Sequence, residues 1–260
     1  MNVQPVNQAA AILWSAWTEG RRLLALPETC RPLTLDDGYA VQQAIAARLA
    51  GHAIGWKIAA TSAEGQRHIG VTAPLAGPLF ARFLVEPGAT IAAGPLHMRV
   101  AEPEFAFRLG RDLAPRAKAF TVDAVLDAVD TLHLAIEVPD SRFEDFASAG
   151  APRLVADCAC AGLFVLGPAV PGWRNLDLAI QPVAIRRADG PAHEGAGANA
   201  LGDPRIALAW LANHARERGI VLGAGTIVTT GTCAQPMAIA PGTKVTAEFS
   251  GLGSLSVRFS

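Results

Sequence analysis

Polar and apolar positions divide the chain into two textures. Over roughly the first fifty residues they recur at helical spacing: Ala10, Leu13, Trp14 and Trp17 lie three and four apart, and Leu23 and Leu24 continue that apolar face. Thr34 followed by Asp37 resembles a capping pair. It opens a second helix with Tyr39, Val41, Ile45 and Leu49 inward, ended by Gly51. From Ile54 onward the pattern changes to short apolar runs punctuated by Gly and Pro. These predict strands over 54–60, 89–92, 100–109, 131–138, 161–166, 178–186, 226–230, 244–249 and 255–259. Two helices interrupt them, 122–130 and 204–218; the second carries Ile206, Leu208, Ala209, Trp210 and Leu211 before stopping at Gly219. Many strands and few helices predict an α+β fold: a mixed β-roll or barrel over 52–260, with an N-terminal helical arm over 1–51. No Ser-, Pro- or charge-rich linker separates the two, and no internal repeat is found.

Composition narrows the class. With 51% apolar and 17% charged residues over 260 positions, the chain has ample material for a core and is not disordered. Its 25 glycines and 18 prolines follow no G-X-Y period, which excludes a collagen-like protein. Twenty-two basic residues against 23 acidic ones supply no concentrated basic face, so no nucleic-acid partner is expected. The longest apolar run, 158–170, is broken by Gly162, Gly167 and Pro168, and is too short to span a bilayer. Glu19, Arg21 and Arg22 stand where a signal peptide would be apolar or cleaved. The expectation is a soluble cytoplasmic protein whose surplus apolar surface goes into a buried sheet and a homo-oligomer interface. Cys30, Cys158, Cys160 and Cys233 lack paired zinc-site spacing and are expected as reduced thiols, with Cys158 and Cys160 packed on one face of a strand.

Familiar nucleotide and hydrolase signatures are missing. The segment Gly195-Ala-Gly197-Ala-Asn-Ala200 follows a polar loop instead of a strand, so it does not form a dinucleotide turn. No phosphate-binding G-x-x-x-x-G-K-[ST] and no G-x-S-x-G elbow occurs, and the six histidines are scattered.

Acidic residues carry more information. In Val100-Ala-Glu102-Pro-Glu104-Phe, the two glutamates are two apart on a predicted strand and so share a face. Buried side by side they would repel unless a cation lay between them. Pro103 removes a ladder hydrogen bond, which fits either an irregular site or an exposed edge strand carrying charge. A further carboxylate, Glu137, ends the apolar run Leu132-His-Leu-Ala-Ile. Three carboxylates without clustered His or Cys suit a hard, oxygen-seeking cation, Mg²⁺ or Mn²⁺, with positions left for water and a chelating substrate.

At this point the ordered set of motifs resembles a known family. Gly55-Trp-Lys57-Ile-Ala-Ala-Thr61-Ser62, then Gln66, Gly70-Val71 and Pro74, is similar to the 2-keto-4-pentenoate hydratase / 4-oxalocrotonate decarboxylase family of the fumarylacetoacetate hydrolase superfamily. The resemblance continues through Glu102-x-Glu104, Ile136-Glu137-Val-Pro-Asp140-Ser-Arg142, Val155-Ala-Asp157, Trp210-Leu-Ala-Asn213, the stretch from Gly225 to Gly231, and Gly251-Leu-Gly253. It implies a β-roll and a divalent metal held by Glu102, Glu104 and Glu137. It also implies Lys57 acting at the substrate, and short 2-hydroxydienoic or 2-oxo acids of aromatic breakdown whose C1 carboxylate and C2 oxygen chelate the metal. Asp157 joins Lys57 as a candidate catalytic residue, and Ser62, Cys158 and Cys160 as candidate substrate-binding residues.

Two departures bear on the reaction. Family hydratases commonly carry an acid before the glycine of a P-D-[aromatic]-G turn; here Leu75 stands in Pro74-Leu75-Ala76-Gly77. Leucine cannot transfer a proton, so that acid–base role is either absent or filled by another group, with Asp157, Glu64 and His68 as candidates. The family more often shows Asp-Asn-Ala-Ser-Ser where this chain has Asp157-Cys158-Ala-Cys160-Ala. The leading expectation is a metal-dependent hydratase. Decarboxylation of a 2-oxo acid and carbon–carbon hydrolysis are the alternatives, followed by a non-catalytic binding protein that keeps the fold.

Overall fold

A computed structural model describes residues 1–48, 53–188 and 190–260. The arm contributes α1 (Val3–Glu19) and α2 (Leu35–Arg48). There follow β1 (Ala53–Ala59), α3 (Ala63–His68), β2 (Leu75–Phe80), β3 (Leu84–Val85), β4 (Thr90–Ile91) and β5 (Val100–Leu109). Next come α4 (Val122–Leu126), β6 (Val129–Val138), α5 (Ala151–Ala156), β7 (Leu163–Ala169), β8 (Pro182–Arg187) and β9 (His193–Ala196). The chain closes with α6 (Pro204–Glu217), β10 (Ile227–Thr232), β11 (Met237–Ala238), β12 (Lys244–Phe249) and β13 (Gly253–Phe259).

The strands form two sheets. The larger runs β2-β1-β10-β5-β6-β7-β3, with β11 added beside β5; the smaller runs β4-β13-β12-β8-β9. Most pairs are antiparallel, but β1 and β10 are parallel, as are β3 with β7 and β4 with β13. This is the expected mixed α+β architecture, with helices at its N-terminal side. Period-two alternation gives the large sheet two chemically distinct faces. Phe105, Phe107, Leu132, Leu134 and Ile136 join the main core, where Phe105 meets Phe249 of the small sheet edge-on at 5.0 Å. The opposite face carries Glu102, Glu104, Glu137, Lys57 and Thr229, aligned by the pairings Glu102↔Glu137, Lys57↔Thr229 and Thr229↔Ala106. Val6, Ala9, Ala10 and Leu13 of α1 enter the same core as the strands, so the arm packs on the roll.

Several boundaries differ from the sequence-based expectation. Helix α1 stops at Glu19 because Gly20 turns left-handed (φ 64°). Leu23 then bridges to Phe143, and Leu24 lies 85% exposed instead of extending an apolar face. Leu49, Gly51, and with them the expected boundary between arm and roll, fall outside the described residues. The helix expected over 122–130 ends at Leu126, since Val129 and Asp130 already belong to β6. The strand expected from 178 begins only at Pro182. Strand β2 was expected as a turn, because Pro74, Gly77 and Pro78 are turn residues. The four cysteines are free and buried, and no helix among the described residues is long and apolar enough to cross a membrane.

Candidate active site

Strand alternation and register bring the three glutamates together. One carboxylate oxygen from each of Glu102, Glu104 and Glu137 lies within 4.8 Å of the others, the one such acidic group among the described residues. Glu104 and Glu137 are fully buried, and Glu102 opens onto a cavity of about 1210 Å³. Pro103 is not on an edge: β5 is central, and the proline sits beside a bulge where the β10 register shifts between Thr229 and Thr232. That bulge turns the Gly231 N–H toward Glu104 Oε2 at 2.9 Å, and the Thr229 hydroxyl donates to the same oxygen. Gly231 is required there. Its φ is +96°, and a Cβ would meet Thr61 Oγ1 at 2.1 Å.

Lys57, 3% exposed, reaches the cluster from β1. Its Nζ stands 2.9 Å from Glu137 Oε1 and donates to the Ala159 carbonyl at 3.1 Å. Burial works against its charge, but the surrounding carboxylates, led by Glu137, outweigh it and hold its pKa above the ordinary lysine value. Burial pushes Glu102 up to about 7, the Glu137 charge adding to the effect and Lys57 opposing it. Glu104 is likewise held well above the ordinary carboxylate range, through burial first and then through Glu137 and Glu102. Three crowded carboxylates therefore face one ammonium. Glu104 Oε1 and Glu137 Oε2 are buried without a hydrogen-bond partner among the described residues. Unpartnered buried anionic oxygens are costly, and a hard divalent cation satisfies them. The donor set fits such an ion.

The other candidates are placed as follows. Ser62 caps α3, its oxygen accepting from Gly65 N at 3.0 Å, and it lines the cavity. Glu64 and His68 stand one turn apart on α3, as expected from their spacing, and both line the cavity; His68 meets Phe146 edge-on. Leu75 is in the cavity wall, 4% exposed. Cys160 lines the cavity, whereas Cys158 is buried behind it. Neither lies on a strand. Residues 158–160 form a tight left-handed turn with φ of 53°, 51° and 59°. Each non-glycine residue in that region costs about 1–2 kcal/mol, so tertiary contacts must hold it. Burial pushes the Cys160 thiol up to about 12.

Asp157 is not among the cavity-lining residues. It is paired in the interior with Arg142, whose Nε donates to Oδ1, while Ser141 Oγ (2.7 Å) and Arg142 N (3.0 Å) donate to Oδ2. The sequence reading passed over Thr229, Gly231, the Ala159 carbonyl, and Arg67, which also lines the cavity. Thr229 and Gly231 stood in a motif that was noted, but nothing local marks a hydroxyl or an amide as a partner for Glu104.

Fold and site define a metalloenzyme of the roll class. Residues 60–260 match the fumarylacetoacetate (FAA) hydrolase C-terminal family, and the chain belongs to it. Within it, the chain falls in the 2-keto-4-pentenoate hydratase / 4-oxalocrotonate decarboxylase group. It is 34% identical to a 2-keto-4-pentenoate hydratase of Paraburkholderia xenovorans, over 100% of this chain and 96% of that one. A 4-oxalocrotonate decarboxylase of Pseudomonas putida is 32% identical, over 87% of this chain and 86% of its own. The solved 4-oxalocrotonate decarboxylase from Pseudomonas putida G7, complexed with magnesium and adipate, superposes with a TM-score of 0.91 at 29% identity, covering 100% of this chain and 99% of that one.

Proposed function

We propose that this enzyme is a Mg²⁺-dependent hydratase acting on a short 2-hydroxydienoic acid, or its 2-oxo form, from aromatic-compound catabolism. The observation that carries the reading is the convergence of Glu102, Glu104 and Glu137 beside buried Lys57 at the wall of one large cavity. Those three glutamates would hold the ion, for which Mn²⁺ is a second candidate. When bound, the ion supplies Lewis-acid stabilisation of negative charge developing on the substrate's C2 oxygen.

The protein's own groups supply the rest. An ammonium has three hydrogens. In Lys57 the Ala159 carbonyl takes one of them, and Glu137 stands 2.9 Å away as an ion-pair partner that is not hydrogen-bonded, so the ammonium keeps hydrogens for the substrate's C1 carboxylate. Ser62 accepts from Gly65, so its own O–H is free to donate into the cavity. Asp157 has its oxygens occupied by Arg142 and Ser141, so proton transfer falls to His68 and Glu64 on α3. A homo-oligomer is proposed as well; sedimentation of a lone monomer at micromolar concentration would overturn it.

A second reading, 2-oxo acid decarboxylation, is favoured by one residue. Leu75 offers no proton where family hydratases carry an acid, and loss of CO₂ needs only stabilisation of the charge left behind. The two are separated by supplying the Mg²⁺-loaded protein with 2-hydroxypenta-2,4-dienoate and, in parallel, a 2-oxo-enedioic acid. Loss of diene absorbance without CO₂ supports hydration; CO₂ from the dioic acid alone supports decarboxylation. Neither product, with Mg²⁺ bound, would sink both. If the acid is what hydration lacks, Leu75→Asp should raise hydration by roughly 10²-fold or more.

A further inference from the structure

We infer that the arm residue Trp17, acting through the Arg142–Asp157 pair, positions Lys57. The inference rests on the reading that Lys57 meets the substrate. Its starting point is the left-handed turn of three consecutive non-glycine residues, Cys158, Ala159 and Cys160, which local preference would not produce. This turn presents the Ala159 carbonyl to Lys57 Nζ.

Arg142 grips the turn from both ends. Its NH2 donates to the carbonyl of Asp157, just before the turn, and its NH1 to the carbonyl of Ala161, just after it, at 2.6 Å. Its Nε binds the Asp157 carboxylate, which Ser141 and the Arg142 amide hold from the other side. On the opposite flank, β2 closes on the turn so tightly that a Cβ at Gly77 would meet the Cys158 carbonyl at 2.0 Å. Gly77 is also the register partner of Lys57, so lysine and turn are fixed to the same point of the sheet. Asp157 is thus a positioning residue, not an acid or base.

What covers the clamp comes from the arm. The Trp17 ring lies over the Arg142 guanidinium at 4.0 Å and is itself stacked on Phe83, rings 4.6 Å apart and 2° from parallel. An aromatic face keeps a desolvated guanidinium in place while leaving its donors free for the carbonyls. Beside it, Leu23 N donates to the Arg142 carbonyl at 2.8 Å, and Arg22 NH2 to Asp140 Oδ2 at 2.6 Å. Trp17 lies outside the 60–260 family match and does not line the cavity. The arm therefore completes the site without touching it.

The test uses the full-length Mg²⁺-loaded protein as wild type, Trp17→Leu, Trp17→Phe and Asp157→Asn. Native-state alkylation by iodoacetamide, read peptide by peptide by mass spectrometry, reports the turn at Cys160, with buried Cys233 as the control for general loosening. Trp17→Leu should label Cys160 about 10-fold faster with Cys233 unchanged, and lower kcat/KM about 10-fold with Mg²⁺ affinity held within about 2-fold. Trp17→Phe, which restores an aromatic face, should return both readouts to near wild type. Asp157→Asn should also speed Cys160 labelling and lower kcat while leaving the shape of the pH–rate profile intact. Wild-type labelling and kinetics in Trp17→Leu, equal acceleration at Cys160 and Cys233, or loss of one pH limb in Asp157→Asn would each overturn the inference. Lys57→Met with oxalate affinity unchanged would instead defeat the reading on which it rests, whatever the labelling shows.

Discussion

In the small sheet β12 pairs with β13 through six successive residues and with β8 through five, with no change of register. In the large sheet four neighbouring pairs slip: β1 with β2, β10 with β5, β5 with β6, and β6 with β7. Both sheets feed one core, so burial does not explain the contrast. What differs is that the large sheet carries the site. The slip between Thr229 and Thr232 supplies the amide that binds Glu104. Strained backbone gathers in the same quarter. Among the described residues, the non-glycine positions with positive φ are Ala60, Arg99, Cys158, Ala159, Cys160 and Leu201. Four of them line the cavity, and the other two adjoin lining residues Met98 and Ala159. Regular pairing buys stability in one sheet; in the other, irregularity aims side chains and amides.

The contrast breaks most visibly at the glutamates. Glu137→Gln removes a proposed metal ligand and the ion-pair partner of Lys57, and activity should fall by roughly 10³-fold or more. Metal-free Glu137→Gln should nonetheless melt no lower than wild type, because one buried repelling charge is gone. Calorimetric Mg²⁺ titration and melting with and without Mg²⁺ check both halves; undiminished Mg²⁺ affinity would remove the site. Gly231→Ala tests whether irregularity is needed. Forcing a Cβ into Thr61 at positive φ should lower stability by about 2–4 kcal/mol in urea unfolding and activity with it.

Val245→Ala is the matching change in the regular sheet. This fully buried β12 residue should cost about 2 kcal/mol while kcat/KM stays within about 2-fold. A large kinetic effect there would erase the distinction between the sheets. The smallest effect lies in the helical cover. Burial, then the Arg218 charge, holds His214 down to about 4 from its ordinary 6.5. Between those values the unfolded chain takes up a proton that the folded chain refuses. Stability should therefore be complete above the upper value and decline as pH falls toward the lower one. Allowing for the ring's partial exposure, the loss is on the order of 1 kcal/mol, and His214→Gln should flatten the slope of unfolding free energy against pH.

Regular elements were the legible ones. Strands β5 and β12 follow the apolar runs 100–109 and 244–249 residue for residue, and the shared face of Glu102 and Glu104 followed from strand period alone. Glu137 stood out as a further carboxylate at the end of an apolar run, and the family resemblance joined it to the other two and added Lys57. Strand β2 was hidden because Gly77 and Pro78 are turn residues by local chemistry; the glycine is there for the approach of Cys158, a contact invisible along the chain. The left-handed turn at 158–160 has no composition of its own, and the arginine that bonds to the carbonyls on either side of it lies 15 residues before Asp157. Nor does anything along the chain announce that Asp157 is paired with Arg142 in the interior, outside the cavity lining.

The parallel pairing of β1 with β10 has a consequence for how the enzyme comes into being. Lys57 registers with Thr229, a residue near the opposite end of the chain, and Glu104 needs that same threonine. Pairing so distant in sequence closes a very long loop, a step whose entropy must be met before its contacts reward it. During synthesis the glutamate strands and Lys57 are made early, but they stay an incomplete cradle until β10 emerges and slides between β1 and β5. The site is thus a signature of finished folding.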